Sequence, residues 1–339
     1  MIRLNSLTIG YREGGRGKVV AQNITGNIYS GELTCIIGSN GVGKSTLIRT
    51  LSGFQKKISG DIILNDKDID EFSDKELSHV IGIVLTERFD FRNMSVEDLI
   101  GMGRSPYTNF WGRLRDCDKQ IVRRCAKMVG VENLLQRPAH TLSDGERQKV
   151  MIAKALAQET SIIFLDEPTA FLDYKSKVEI MQLLHNLCRT EDKIIFLSSH
   201  DLDLVLQISD KIWLMNNGVL SVGTPEDLAL DGSLKEFFKG DGMAFDLSSG
   251  LFTPRFTTKS KVCVKGDETV CRLVAKALKR NGILATHNTD SDIVILIEAY
   301  ANNYTIKSKT NKQITVYNIH SLLNVLLNLK INPIKVDSK

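Results

Sequence analysis

The sequence has no apolar run near the roughly 18–20 residues that a membrane-crossing helix needs. Its longest candidates, such as IVILI at 293–297, are the size of a strand. The opening MIRLNSLTIG lacks the apolar centre of a secretory leader, so none is expected. Cysteine is sparse, six in 339 residues, without close pairs. That argues against a disulfide framework and fits a reduced, cytosolic setting. Charge of one sign is missing too. Lys and Arg number 44 against 40 Asp and Glu, a net +4 that is too weak to suggest a nucleic-acid partner, and none is expected. Internal repeats and low-complexity segments are absent. With 42% hydrophobic and 25% charged residues, the chain is globular rather than fibrous, coiled-coil or disordered.

A chain of this length usually forms about two domains. The charge is uneven in the same sense. Residues 1–239 carry 30 basic and 32 acidic groups, whereas residues 240–339 carry 14 and 8, a net +6. Around 240–260 the regular patterning lapses into a Gly- and Ser-rich stretch. The expected division is a large domain over 1–240, a linker over 241–260 and a small α+β domain over 261–339.

LTCIIG at 33–38 is a compact apolar run ending in glycine. SNGVGKST follows, and then LIRTLSGF with helical spacing, which reads as strand, glycine loop and helix. Residues 116–136 read as a helix closed by Pro138, and 144–158 and 176–190 as further helices. IIFL at 162–165 and IIFLSSH at 194–200 read as buried strands, and 211–220 as a hairpin. Alternating buried strands and helices imply a largely parallel α/β sheet. Beyond the linker come a strand (KVCVKG), a helix over 268–280 stopped by Asn281 and Gly282, more strands, and a last helix (SLLNVLLNLK).

Gly38, Ser39, Asn40, Gly41, Val42, Gly43, Lys44 and Ser45 fit the pattern GxxxxGK followed by Ser or Thr. Glycines let the backbone bend round a phosphate. The loop's N–H groups, at the start of a helix, converge on the anion. Lys44 reaches the β- and γ-phosphates, and Ser45 offers its hydroxyl to Mg2+. Such a site needs an acid at another strand end to hold the metal. Asp166 supplies it after IIFL, and Glu167 next to it suits a general base that activates water. Ser143, 23 residues before Asp166, opens a helix in the stretch LSDGERQ, where Ser143 and Asp144 are natural N-caps. A helix start with Ser and Gly is also a second anion site. Cys35, inside the first of these strands, reads as a small buried hydrophobe.

In their order of P-loop, LSDGERQ, FLDEP and SSH, these motifs resemble the ATPase subunit of ATP-binding cassette (ABC) transporters, over about residues 1–240. The resemblance implies a P-loop NTPase cassette: a RecA-like core, an N-terminal β-subdomain and a helical subdomain. It implies ATP and Mg2+ as cofactors, with Thr46 joining the P-loop residues at the nucleotide. Ser143, Gly145 and Glu146 are then the signature, which meets the γ-phosphate of ATP held by a second copy. The ATP is sandwiched in a head-to-tail homodimer. Tyr11 falls where the family stacks an aromatic on adenine. Asp173, in Phe171-Leu172-Asp173, matches the loop that crosses to the other copy, and reads equally as a helix cap. His200 matches the switch histidine that contacts the γ-phosphate.

Two departures stand out. The signature carries Asp144 and Glu146 where the family pattern is LSGGQ. Glu87 occupies the position of a family glutamine, where a carboxylate can coordinate Mg2+ or orient water and adds negative charge near the phosphates.

The segment 94–107, MSVEDLIGMGRSPY, resembles the importers of iron–siderophore complexes, haem and cobalamin, in which this surface receives a coupling helix from the permease. The implied partners are integral-membrane permease subunits, a second copy of the chain and, indirectly, a substrate-binding protein. The implied place is the cytoplasmic face of the membrane. The alternative is a soluble ABC ATPase with a non-transport role. Such proteins usually carry two cassettes or a long coiled-coil insertion, and only 56 positions separate Glu87 from Ser143. A kinase or GTPase leaves LSDGERQ and SSH unexplained, and a non-hydrolysing scaffold leaves Glu167 and His200 unexplained. The last hundred residues show no catalytic or metal constellation. Cys263 and Cys271 read as structural, and His287 and His320 are isolated. A regulatory or dimer-supporting domain and a passive appendage both remain open there.

Overall fold

The computed structural model describes residues 1–13, 16–85, 94–109, 112–216, 218–239, 242–247, 250–287, 295–300, 303–308 and 313–328. It forms two compact units, Met1–Thr253 and Pro254–Lys339.

The first unit opens with β1 (Ile2–Glu13) and β2 (Arg16–Ile28), which pair antiparallel with β4 (Ser59–Leu64) and β5 (Lys67–Asp68) in the order β2-β1-β4-β5. In β1 the buried apolar side chains are Ile2 and Leu4, then Leu7 and Ile9. The alternation slips by one between the pairs. Pairing to β2 and β4 shifts there, and Ser6 adopts a left-handed φ of 46°. A bulge lets both halves of the strand keep their apolar side chains on the core.

The second sheet carries residues that the sequence analysis singles out. Its strands are β3 (Leu33–Gly38), β6 (Ile81–Val84), β7 (Ile162–Leu165), β8 (Ile194–Ser198), β9 (Lys211–Asn216) and β10 (Val219–Gly223), ordered β10-β9-β3-β8-β7-β6. All pairs are parallel except the β9–β10 hairpin. β3, β7 and β8 are buried at every position, as expected of parallel strands covered on both faces. Helices α1 (Lys44–Leu51) and α2 (Asp74–Val80) precede β6. Between β6 and β7 lie α3 (Val96–Gly101), α4 (Asp116–Met128) and α5 (Asp144–Ala157), the helical subdomain. α6 (Tyr174–Thr190) and α7 (Leu202–Ile208) flank β8, and α8 (Pro225–Leu230) and α9 (Ser233–Phe237) follow β10. One face of the sheet packs on α5 and α6 through Ile163, Leu165 and Ile195. The other packs on α1 and the antiparallel sheet through Phe164, Phe196 and Trp213, whose rings meet edge to face.

Two expectations change. The helix expected over 116–136 ends at Met128, because Gly130 takes a left-handed φ of 76° and the chain turns there. The stretch expected as a linker over 241–260 contains a hairpin, β11 (Met243–Asp246) and β12 (Leu251–Pro254). Phe245 and Phe252 of this hairpin pack against the large core cluster, and Phe252 meets Phe238 at 4.3 Å between ring centroids. The first unit therefore runs on to Thr253, past residue 240.

The second unit is a five-stranded sheet ordered β14-β13-β15-β16-β17, from β13 (Ser260–Gly266), β14 (Ile283–Thr286), β15 (Ile295–Tyr300), β16 (Asn303–Ser308) and β17 (Gln313–Val316). Its first three strands are parallel and its last two antiparallel. α10 (Glu268–Arg280) and α11 (Ile319–Asn328) supply Val274, Leu278, Leu322 and Leu326 to its core. Cys263 and Cys271 are buried and unbridged, and among the described residues no His, Cys, Asp or Glu cluster could hold a metal.

Candidate nucleotide site

β3 delivers the phosphate loop to the C-terminal edge of the parallel sheet, where α/β proteins bind ligands. Ser39, Asn40 and Gly41 are exposed, Val42 is half-buried, and Gly43 and Lys44 are buried. Gly43 has a φ of 115°, and a Cβ there would lie 2.6 Å from Val20 Cγ1. Only glycine can turn the loop into α1 at that point. Lys44 Nζ donates to Gly38 O at 2.8 Å and to Ser39 O at 3.2 Å. Burial pushes its pKa down, while the carboxylates of Glu167 and Asp166 pull it back up. The ammonium thus rests on loop carbonyls, at the place an anion would draw it from. Tyr11 OH and Thr46 Oγ1 share a hydrogen bond of 2.9 Å, so an exposed ring stands beside the first turn of α1.

Asp166 is 8% exposed and accepts from two hydroxyls at one oxygen, Ser45 Oγ at 3.1 Å and Ser198 Oγ at 2.6 Å. A serine hydroxyl beside a carboxylate is a hard oxygen donor set. It suits Mg2+, which takes one or two protein oxygens and fills its shell with phosphate and water. Ser198 Oγ also accepts the N–H of Glu167 at 2.8 Å. Glu167 has a left-handed φ of 49°, a conformation uncommon outside glycine. Its Oε1 meets His200 Nε2 at 2.6 Å, with both groups partly exposed. The next residue, Asp201, accepts from Thr169 Oγ1 at 2.7 Å and Lys177 Nζ at 2.8 Å. The loop after β8 is thereby fastened to the turn that follows Glu167.

Ser198, in the sequence only a part of SSH, is a further residue of the site. The signal was present: β7 and β8 are neighbouring parallel strands with Leu165 opposite Leu197, so the residues after them, Asp166 and Ser198, end side by side.

Ser143 is the N-cap of α5, and its hydroxyl accepts the N–H of Glu146 at 3.2 Å. Ser143 N donates in return to Glu146 Oε2 at 2.9 Å, closing a capping box. That backbone donor holds the Glu146 carboxyl below its ordinary pKa. Each added acid has an arginine, Arg137 at 3.5 Å from Glu146 and Arg147 at 3.4 Å from Asp144. Gly145 faces Ser176, whose Oγ would be 3.0 Å from a Cβ. Asp173 caps α6, accepting from Ser176 N at 2.8 Å, in line with the cap reading of that residue. Glu87 lies outside the described residues. Cys35 is fully buried, accepts from Ser209 Oγ, and burial pushes its thiol up to about 12.

A phosphate loop at the edge of a parallel sheet, a helical subdomain carrying a serine-capped signature, and Asp166, Glu167 and His200 on adjacent strand ends define an ATP-binding cassette. The comparisons agree. The ABC transporter family matches residues 21–170, and the Iron ABC transporter C-terminal domain matches residues 259–327. An uncharacterized ABC transporter ATP-binding protein of Methanocaldococcus jannaschii is 42% identical over 67% of this chain and 78% of its own length. The iron(3+)-hydroxamate import ATP-binding protein of Bacillus subtilis is 34% identical over 69% of this chain and 86% of its own. A structure of a metal-chelate type ABC transporter, inward-facing, aligns with a TM-score of 0.61 at 25% identity, over 74% of this chain and 94% of that one. The chain belongs to the ABC transporter ATP-binding family.

Proposed function

We propose that this chain hydrolyses ATP to drive an importer of an iron chelate. The contact chain Ser45–Asp166–Ser198–Glu167–His200 carries the catalytic part of this reading. The cargo rests on the match of residues 259–327 to the iron transporter C-terminal domain and on the name of the Bacillus relative. Haem and cobalamin, implied by the segment 94–107, fit the same machinery less directly.

The loop N–H groups and Lys44 bind and orient the β- and γ-phosphates, and Tyr11 offers a ring to the adenine. Ser45 and Asp166 would hold Mg2+, which supplies charge neutralisation at the phosphates. Glu167 takes the proton of the attacking water. His200 keeps that carboxylate in place and reaches the γ-phosphate as charge develops on it. Ser143 and Gly145 of a second copy close the site, so ATP joins two cassettes head to tail. The work is done only if closure binds one permease state better than another. The chain works as a peripheral subunit on the cytoplasmic face, held by the permease. Among the described residues no helix is long and apolar enough to cross a membrane. Glu87 takes the family glutamine's role next to the metal, and an unchanged Mg2+ dependence in Glu87→Gln would remove it from that role.

The test is purification of the chain with its native membrane proteins, identification of the bound partners, and assay of ATP hydrolysis. A multi-helix permease and stimulated, Glu167-dependent turnover are expected. A soluble or ribosomal partner with no membrane protein retained would sink the importer reading and leave the ATPase chemistry standing.

A further inference from the structure

Arg104 is a buried cation, 4% exposed, outside the nucleotide site. Its Nε donates to Asp118, itself fully buried, at 3.1 Å. Its Nη1 donates to Ala157 O and to Glu159 Oε2, both at 2.8 Å. The guanidinium lies 4.0 Å from the centre of the Tyr107 ring, and Tyr107 OH donates to Gln158 O at 3.0 Å. Ala157 O and Gln158 O are the carbonyls that a helix leaves unsatisfied at its C-terminal end. One short segment satisfies both for α5, and it places a cation where the helix dipole is negative. The backbones are also in close contact: a Cβ on Gly103 would stand 2.1 Å from Lys154 O.

The same end of α5 is tied to the core. Gln158 Nε2 donates to Ser78 O at 2.7 Å and to Ile81 O at 2.9 Å, and the His79 ring meets Tyr107 edge-on at 4.7 Å. Glu159 sits at a left-handed φ of 53°, its second oxygen held by Arg124 at 2.9 Å. The chain then enters β7, which leads to Asp166 and Glu167. The opposite end of α5 is Ser143.

We propose that Arg104 is a positioning residue for the signature: by pinning to the 96–107 segment the C-terminal end of α5, which Gln158 ties to the core, it sets where Ser143 meets the nucleotide of a second copy. This rests on the sandwich reading above. A helix of fourteen residues is about 21 Å long, so a tilt of about 10° at the pinned end moves its other end by about 4 Å. That exceeds a hydrogen bond's length, and the Ser143 hydroxyl then misses the phosphate. A force applied to 96–107 reaches Ser143 through the same contact. Lysine cannot replace the fork, since it has no planar face for Tyr107 and no fixed pair of donors for Asp118 and Ala157 O.

The test compares Arg104→Lys and the milder Tyr107→Phe with the parent chain, in the full-length protein. Five quantities are read: MgATP affinity of the single cassette by titration, kcat and KM for ATP, the melting temperature, and ATP-driven dimerisation in a Glu167→Gln background by sedimentation. Arg104→Lys is expected to keep MgATP affinity and KM within about twofold, lower kcat at least tenfold, and shift the dimerisation midpoint at least tenfold higher in ATP. Tyr107→Phe is expected to move the same two quantities less, with its melting temperature nearly unchanged. Parent-like kcat and dimerisation in both variants overturn the proposal. So does a parallel loss of melting temperature and MgATP affinity in both, which marks a fold-supporting role only. If Glu167→Gln alone fails to dimerise in ATP, the sandwich reading falls and this proposal with it.

Discussion

His200 Nε2 lies 2.6 Å from Glu167 Oε1, and the backbone N–H of Glu167 is held by the hydroxyl of Ser198 two residues before that histidine. The end of β8 thus fixes both ends of the glutamate, its main chain and its carboxylate. A carboxylate held so, beside the phosphate loop, is placed to take a proton from water without first reorganising. Glu167→Gln keeps the shape and removes the proposed base. It should slow single-turnover hydrolysis by about 10²–10⁴ and leave ATP affinity within a few fold. Turnover near that of the parent would take Glu167 out of the base role.

Ser198→Ala tests the hub itself. Ser198 is fully buried, donates to Asp166 Oδ1 at 2.6 Å and accepts from Glu167 N at 2.8 Å. The substitution removes one hydrogen bond from the part-buried Glu167 N–H and one from Asp166 Oδ1, a loss of about 1–3 kcal/mol. Denaturant unfolding should show that loss. A raised Mg2+ requirement for hydrolysis should accompany it, because Asp166 loses a hydroxyl that orients it. A stability loss with an unaltered Mg2+ titration would make Ser198 a structural residue alone.

The phosphate loop, the strand ends and the signature helix were legible because each is local: an apolar run, a glycine pattern and a cap follow one another within a dozen residues. Pairing across the sheet was not. Ser198 becomes a partner of Asp166 only through the parallel register of β7 and β8, and Arg104 finds Ala157 O only when the 102–107 turn folds back onto α5. Amphipathic spacing continues past Gly130 and predicts a helix over 116–136, whereas the left-handed φ of Gly130 decides its end. The hairpin at 243–254 is hidden in the sequence because its strands are four residues each and the groups it packs on the core are isolated, partly buried phenylalanines.

Glu146→Gln separates the charge of the signature from its shape. The Ser143 N–H holds the Glu146 carboxyl below its ordinary pKa in the folded chain. A carboxyl with a depressed folded pKa contributes stability above its unfolded value, about 4.3, and loses it as pH falls through the folded pKa. The parent should therefore melt above Glu146→Gln at neutral pH, and the gap should close as the pH drops below about 4.3. A gap that does not change with pH would mean the capping box is held by its geometry and not by its charge. The neutral variant should also bind Ser143 more tightly to a γ-phosphate, giving ATP-driven dimerisation at lower ATP, since one negative charge leaves that face.

The end of the first unit gives the last prediction. A chain stopped after residue 240 loses Phe245 and Phe252, which pack on the core cluster, while one stopped after Thr253 keeps them. Phe252 also lies against Phe238, which is itself 7% exposed. Removing the hairpin uncovers that ring and the side of the core beneath it. Burying a phenylalanine fully is worth about 1.5–3 kcal/mol, and these two are only partly buried, so the shorter chain should be less stable by about 2–3 kcal/mol. Urea unfolding of the two truncated chains measures it. Equal midpoints would mean that the hairpin covers the core without stabilising it. A midpoint for the 1–253 chain close to that of the full protein's first transition would show that the cassette folds without the second unit, as its separate core requires.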